Sequence, residues 1–438
     1  MKEILDQIRT YIENKNANKT WVAGKDFVNY AGPHFSADEY VSAAETLLGG
    51  WLVMGDKALK FEREFPKQFG KQNGILTNSG SSSNLLMMAS LTSKRGHNLP
   101  KGTKVLMPIA GFPTTLNPTL QLGFEPVFLD IETDTLNLDL TKAEDLIKQH
   151  NIKIITFAHV LGNPPNMDQV MDLVNKYNLI LLEDCCDALG STYDGKPLGS
   201  FGDMASCSFY PAHHMTMGEG GYVACKTYEQ EVILRSFREW GRGCYCVGPE
   251  ANKLKCGTCG KRFQEWIPEM PGEIFDHKYV YDEIGYNLKP IEIQGAMGLV
   301  QLTKLDEIHA LRRRNYQLLF NIYEKYEEFF HLPRAREKSD PSWFAFPLTV
   351  RKNAPFTRSD IVDYLEENLI QTRPYFAGNI MLQPAYSHIM NPAEAKANFP
   401  VATHVMTHTY FHGTSPVITP EQIAYIGEKV DSFMSLFV

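Results

Sequence analysis

The sequence predicts an α/β fold, with a mostly parallel sheet covered by helices on both faces and a smaller α/β domain after it. Two observations carry this. From about residue 74 short apolar runs rich in β-branched residues alternate with helix-like segments. The chain is also long, at 438 residues with 43% hydrophobic positions, which suffices for two or three domains. The N-terminal stretch MKEILDQIRTYIENKNANK has apolar positions at helical spacing, and residues 1–35 read as a helical segment. KVLMPIA (104–110), FEPVFLDI (124–131), IKIITFAHV (152–160) and NLILLEDCC (178–186) read as strands, and MDQVMDLVNKY as a helix between two of them. These belong to a large domain over 36–300. A long amphipathic stretch at 290–330 leads into a small domain over 301–438, in which SWFAFPLTV predicts a strand and SDIVDYLEENLI a helix.

The formal charge of -8 argues against a protein built to grip nucleic acid or an anionic membrane. A small anionic ligand stays compatible with it. The N-terminus lacks the apolar core of a signal peptide, and no stretch reaches the roughly 18 apolar residues of a membrane span. The expectation is a cytoplasmic protein. In that compartment the eight cysteines, all between 185 and 259, do not read as a disulfide framework.

Ligand chemistry in such a fold collects at the carboxyl ends of the strands. In TNSGSSSNLLMMASL (77–91) glycine and serines precede an apolar helix, a pattern that suits an anion at a helix N-terminus and equally an ordinary serine cap. Asp184 ends the strand of NLILLEDCC, with Asp187 three residues on. AGFPTT (110–115) sets Phe112 after a second strand, and HVLGNPPNMD (159–168) sets a turn after a third.

With LDIETDTLNLD, LLEDCCDALGS, SFYPAHHMTMGEGG and GYNLKPIEIQGAMGLVQL, these motifs resemble the fold-type I vitamin B6 enzymes, in the branch of nucleotide-sugar aminotransferases and dehydratases. The resemblance runs from about residue 35 to the C-terminus. It implies pyridoxamine 5'-phosphate (PMP) or its aldehyde form (PLP) as coenzyme. Asp184 would pair with the ring nitrogen, Asp187 with the ring hydroxyl, and Phe112 with the ring face. Gly80, Ser81 and Ser208 would hold the phosphate. Asn287 is similar to an asparagine that reaches the phosphate of the neighbouring subunit's coenzyme, which implies a homodimer with shared sites. Aminotransferases of this branch bond a lysine covalently to the coenzyme where His213 stands here. An imidazole cannot make that bond but serves as a general base near neutral pH. His214 reads as a structural or substrate-contacting neighbour, and Lys226 as a surface residue.

Histidine in place of lysine resembles the 3-dehydratases that remove the C3 hydroxyl of a 4-keto sugar. One subtype has no metal centre. The other takes electrons through a 2Fe-2S cluster from a separate flavin-containing, NAD(P)H-oxidising iron-sulfur reductase. The cysteines resemble the ligands of the CDP-4-keto-6-deoxy-D-glucose 3-dehydrase family: Cys186, Cys244, Cys246 and either Cys256 or Cys259. That family leaves 57 residues between its first two ligands, as between Cys186 and Cys244, and one between the next two, as in CYC. Its last gap is seven, whereas this chain leaves nine before Cys256 and twelve before Cys259. CGKRF favours Cys259, with the extra residues as an insertion. Spacing alone also allows zinc. Cys185, Cys207 and Cys225 read as core residues. Asp276, His277, Lys278, Tyr279, Arg373 and Tyr375 resemble segments that approach the sugar nucleotide. The function this implies is removal of the C3 hydroxyl from a nucleotide-diphosphate 4-keto-6-deoxyhexose, with CDP favoured, in 3,6-dideoxysugar and lipopolysaccharide biosynthesis. The other readings are a cluster-free dehydratase of the colitose type, an aminotransferase with its lysine elsewhere, or a catalytically silent or zinc-stabilised binding protein.

Overall fold

A computed structural model describes residues 1–244, 246 and 255–437. Four strands of the main sheet, those at 104–108, 125–129, 154–158 and 180–184, lie inside the apolar runs that predict them. Asn73–Thr77 (β1), Lys104–Pro108 (β2), Glu125–Leu129 (β3), Ile154–Ala158 (β4) and Ile180–Asp184 (β5) come first. A short ribbon of Thr192–Tyr193 (β6) and Lys196–Pro197 (β7) precedes Met204–Ser208 (β8) and Gly221–Cys225 (β9). The main sheet has the order β1-β9-β8-β5-β4-β2-β3. Its pairs from β3 through β8 are parallel, while β9 runs antiparallel to both β8 and β1.

Alternate residues of each strand enter opposite cores. Leu106, Ile155, Phe157 and Leu181 pack with Phe61, Phe65, Phe69, Phe209 and Tyr222 on one face. Val105, Ile154, Ile180 and Leu182 pack with Leu86, Met87 and Met88 on the other. Burial on both sides explains why these runs are continuously apolar instead of alternating. Helices on the faces of the sheet include Gly80–Ser90 (α4), Pro113–Gln121 and Met167–Tyr177, the last matching its predicted bounds.

The stretch 290–330 is two helices, Glu292–Leu302 and Leu305–Tyr323, parted at Thr303 and Lys304. The break follows from packing. The first lies on Ala37–Leu48 (α2) and Asp56–Glu64 (α3), the second on the C-terminal helix Pro420–Met434. The boundary expected at 300/301 lies within the last turn of the first helix, two residues before this break. The small domain holds a second sheet of Phe330–His331 (β12), Ala345–Val350 (β14), Thr409–Gly413 (β16) and Arg373–Pro374 (β15). Residues 1–35 do not stand apart: Lys2–Ala17 (α1) packs on α2, and Val28 bridges to Ile370 of the small domain. Among the described residues no helix is long and apolar enough to cross a membrane.

Candidate active site

Five strand ends, those of β1, β2, β4 (through Ala158), β5 and β8, open into one cavity of about 760 Å³ between the two domains. Gly80 and Ser81 enter it after β1, Phe112 after β2, Asp184, Cys186 and Asp187 at the end of β5, and Ser208 and His213 after β8. Every coenzyme and catalytic residue expected from the sequence is therefore in this cavity except Asn287. That residue is exposed and does not line the cavity; Lys289 Nζ donates to its side chain at 2.8 Å.

Asp184 is fixed at the cavity floor by four donors. Asn84 Nδ2 (2.7 Å) and Thr115 Oγ1 (2.8 Å) donate to one carboxylate oxygen, and Cys186 N (3.2 Å) and Ser206 Oγ (3.3 Å) to the other. Asp187 lacks such a surround. Its one hydrogen bond is a long one from Leu161 N (3.4 Å), and burial, then the Asp184 charge, raises its carboxyl to about 7. The residue that reaches it is Leu161, in the turn HVLGNPPN, whose Gly162 has φ +97° and sits where a Cβ would meet Ser342 O at 2.7 Å.

His213 lies 3.6 Å from Asp187 by its Nδ1, and that buried nitrogen has no hydrogen-bond partner among the described residues. Its ring leans on Phe344, with centroids 5.2 Å apart. Burial, then the nearby Arg312 guanidinium, lowers the imidazole to about 4 in spite of Asp184. It is consequently neutral across the physiological range and available to accept a proton. His214 faces away from the cavity and its Nε2 meets Ser342 O at 2.7 Å, which makes it structural.

The residues fit a phosphorylated pyridine coenzyme. At the start of α4 the Ser79 side chain caps Ser82 N and the Ser79 carbonyl takes Ser83 N, so the Gly80 and Ser81 amides make no hydrogen bond among the described residues. A Cβ on Gly80 would lie 2.4 Å from Ser208 Cβ, so glycine is what brings these amides and the Ser208 hydroxyl together. Phe112, 53% exposed, forms a wall with Phe376 at 5.9 Å. No lysine lines the cavity among the described residues. Lys226 is at the surface, 3.7 Å from Asp203.

The chain matches the DegT/DnrJ/EryC1/StrS aminotransferase family over residues 34–431. It belongs to that family. It is 40% identical over 437 residues to "Lipopolysaccharide biosynthesis protein RfbH" of Salmonella typhimurium, covering 99% of this chain and 98% of that protein. It is 39% identical over 435 residues to "dTDP-4-dehydro-2,6-dideoxy-D-glucose 3-dehydratase" of Saccharopolyspora spinosa, covering 99% and 92%. A crystal structure of mutant GDP-4-keto-6-deoxymannose-3-dehydratase (ColD) with bound GDP-perosamine superposes at TM-score 0.80 and 26% identity, covering 92% of this chain and all of that one. The fold of this DegT-family chain is that of the fold-type I sugar aminotransferases and dehydratases.

The candidate cluster ligands divide. Cys186 lies in the cavity, where burial and then the Asp184 charge push its thiol well up. Cys244, Cys246 and Cys259 interact with one another in the loop beyond. Burial opposes ionisation of Cys246, yet hydrogen bonds from Thr258 and Cys259 outweigh it and bring the thiol to about 7. Cys256 is exposed. Tyr245 and residues 247–254, between these cysteines, lie outside the described residues. Among the described residues the single set of three metal-type donors mutually within 4.8 Å is His159, Glu183 and Cys185, and the Glu183 carboxylate there is already filled by His159, Gly199 N and Gly202 N. The thiols Cys185, Cys207 and Cys225 are buried in the core.

Of the further candidates, Arg373 lines the cavity with its guanidinium 4.3 Å from the Tyr30 ring. Tyr375 is buried and donates to Leu136 O. Asp276 to Tyr279 lie elsewhere, with Asp276 paired to Arg262 and His277 stacked on Trp266 at 3.7 Å. Sequence reasoning missed Asn84, Thr115 and Arg312. Asn84 sits four residues past Gly80 on α4, and that helical spacing was the available signal.

Proposed function

We propose that this chain is a PMP-dependent 3-dehydratase of a nucleotide-linked 4-keto-6-deoxyhexose. The observation that carries the reading is a buried imidazole, with no lysine beside it among the described residues, in the strand-end cavity of an aminotransferase fold. When bound, the coenzyme supplies an amine for the sugar ketone and a ring that accepts electrons. The chain's own residues do the rest. Asp184 keeps the ring nitrogen protonated, Phe112 and Ala158 hem the ring in, and Gly80, Ser81 and Ser208 hold the phosphate. His213 takes a proton from the coenzyme's C4' carbon, and Asp187 orients the ring hydroxyl. Arg373, the one arginine of the cavity wall among the described residues, suits the nucleotide's diphosphate. Asn287 acts across a homodimer in the partner's site.

The finer reading adds a 2Fe-2S cluster on Cys186, Cys244, Cys246 and Cys259, which would supply single electrons from a flavin reductase. Its support is the interaction of Cys246 with both Cys244 and Cys259 in one loop, and the exposed place of Cys256. The substrate nucleotide favoured is CDP, and the setting is cytoplasmic synthesis of a 3,6-dideoxysugar for surface polysaccharide. The similarity to RfbH accords with that setting. A cluster-free dehydratase is the second reading, favoured by the structural likeness to ColD. Anaerobic purification, iron, zinc and acid-labile sulfide analysis, and paramagnetic resonance after dithionite reduction separate the two. Iron near two per chain with a reduced-cluster signal supports the first, while metal-free protein that dehydrates the sugar supports the second. Borohydride reduction of the coenzyme-loaded protein followed by peptide mapping should label no lysine; a labelled lysine would restore the aminotransferase reading.

A further inference from the structure

The helix Leu305–Tyr323 carries three consecutive arginines with different fates. Arg313 pairs with Asp340 at the surface, and Arg314 donates to Asn315 and to Ile418 O. Arg312 is fully buried and makes no hydrogen bond or ion pair to a carboxylate among the described residues, although the Asp187 charge is near enough to favour its charged form. Its Nη2 donates to Ala212 O (3.0 Å) and His213 O (2.8 Å). Its Nη1 donates to Phe344 O (3.0 Å) and lies at the edge of bonding distance from Trp343 O and Thr414 Oγ1. The two ends of one guanidinium thus grip two chain segments from different domains.

A buried cation held by carbonyls and a hydroxyl, with no ion pair, is costly, and an apolar side chain of the same length would serve stability as well or better. What the guanidinium does that an apolar chain cannot is fix these carbonyls relative to one another in a planar fork. The segments it fixes carry the two rings that touch: His213, and Phe344 against which the imidazole leans. Both line the cavity, while Arg312 does not.

We infer that Arg312 is a positioning residue, which seats the His213 imidazole by clamping its backbone carbonyl and that of its packing partner Phe344 across the domain boundary. This rests on the dehydratase reading for its kinetic consequence, though not for its geometry. A displacement of the base by about 1 Å suffices to slow proton transfer roughly a hundredfold. Lysine has one nitrogen and cannot hold both segments as the fork does.

The test uses coenzyme-loaded full-length Arg312→Met and Arg312→Lys beside wild type. Turnover of the 4-keto sugar is expressed per bound coenzyme, which discounts unfolded protein. Expected are a fall in kcat of about a hundredfold in Arg312→Met, a smaller fall in Arg312→Lys, and KM and coenzyme affinity within about threefold of wild type. A contribution to stability alone would lower the melting temperature and leave kcat per bound coenzyme unchanged, and that result overturns the inference. Loss of coenzyme affinity in step with kcat also overturns it. Should Arg312→Met fail to fold, the same split in Arg312→Lys decides. The second readout needs no turnover: carbethoxylation of His213 in the resting enzyme, followed by peptide mapping. Its rate should change severalfold in both variants, and an unchanged rate overturns the inference. Wild type without any turnover would sink the dehydratase reading, and the labelling would still judge Arg312.

Discussion

The cavity and the cysteine loop carry the two halves of the proposed chemistry and are built in opposite ways. The cavity stands on the ends of buried strands, with Asp184 held by four donors and His213 tied through its backbone to a buried arginine. The loop's hairpin is two residues by two, Phe263–Gln264 (β10) with Phe275–Asp276 (β11), braced by Arg262 with Asp276 and by Trp266 on His277. Around it Phe263, Met270, Ile274 and Phe275 are exposed. The sheet therefore preorganises the coenzyme site without its ligand, whereas the thiols of the loop rest on one turn and one ladder. Preorganised groups stabilise charge at no cost in rearrangement when the ligand arrives. A metal site of loop thiols gains much of its order from the metal itself.

The largest expected effect lies in the cavity. His213→Asn keeps the ring's volume approximately and removes the base, so turnover should fall by about 10²–10⁴ with coenzyme affinity nearly unchanged. A fall of less than tenfold in steady-state kinetics would show that the imidazole is not the proton acceptor and would break the comparison at its stronger side. Next comes the frame behind the cavity. His412 is buried, accepts from Tyr323 at 2.7 Å, and is lowered by burial to about 3. The unfolded chain binds this proton below its ordinary value near 6.5 and the folded chain does not, so stability is present above that value and is lost as pH falls toward 3. Between pH 7 and pH 4 urea unfolding of wild type should lose on the order of 3 kcal/mol more than His412→Gln. Equal losses would mean that the acid-sensitive part of the molecule is elsewhere.

Asp184→Asn removes the charge that faces the coenzyme ring and keeps the shape. Coenzyme binding, followed by fluorescence titration, should weaken by about 1.5–3 kcal/mol, the worth of a hydrogen bond to a charged group. The smallest effect belongs to the loop. Cys256→Ser should leave bound iron and stability unchanged within about 0.5 kcal/mol, as for an ordinary surface position. Cys259→Ser should lower iron content and the reduced-cluster signal. The reverse pattern would exchange their roles, and no change in either would leave the loop without a metal and widen the contrast with the cavity.

Much of the cavity was legible because its parts are local. Gly80 and Ser81 follow a strand, Asp184 and Asp187 end one, and His213 holds its place by distance from GEGG, so strand ends and short motifs sufficed. The loop was legible as a spacing, but its closing cysteine was not, because a gap of nine or twelve residues says nothing about which thiol turns inward. The antiparallel β9 was not anticipated either; its apolar run GYVAC carries no mark of direction. Nor was the break of the 290–330 stretch, whose amphipathic period continues across Thr303 while its packing partners change.

The sequence by itself determined the layered fold and the chemical character of the coenzyme site, including the imidazole in place of an amine. Period, turn residues and the identity of each side chain are properties of the chain. The tertiary structure alone decided which groups support them. Asn84 and Thr115 turn to Asp184, Leu161 to Asp187, and Arg312, ninety-nine positions beyond His213, grips its carbonyl. These partners come from distant segments brought together by burial of two sheets, and no local pattern of residues encodes a contact made by folding.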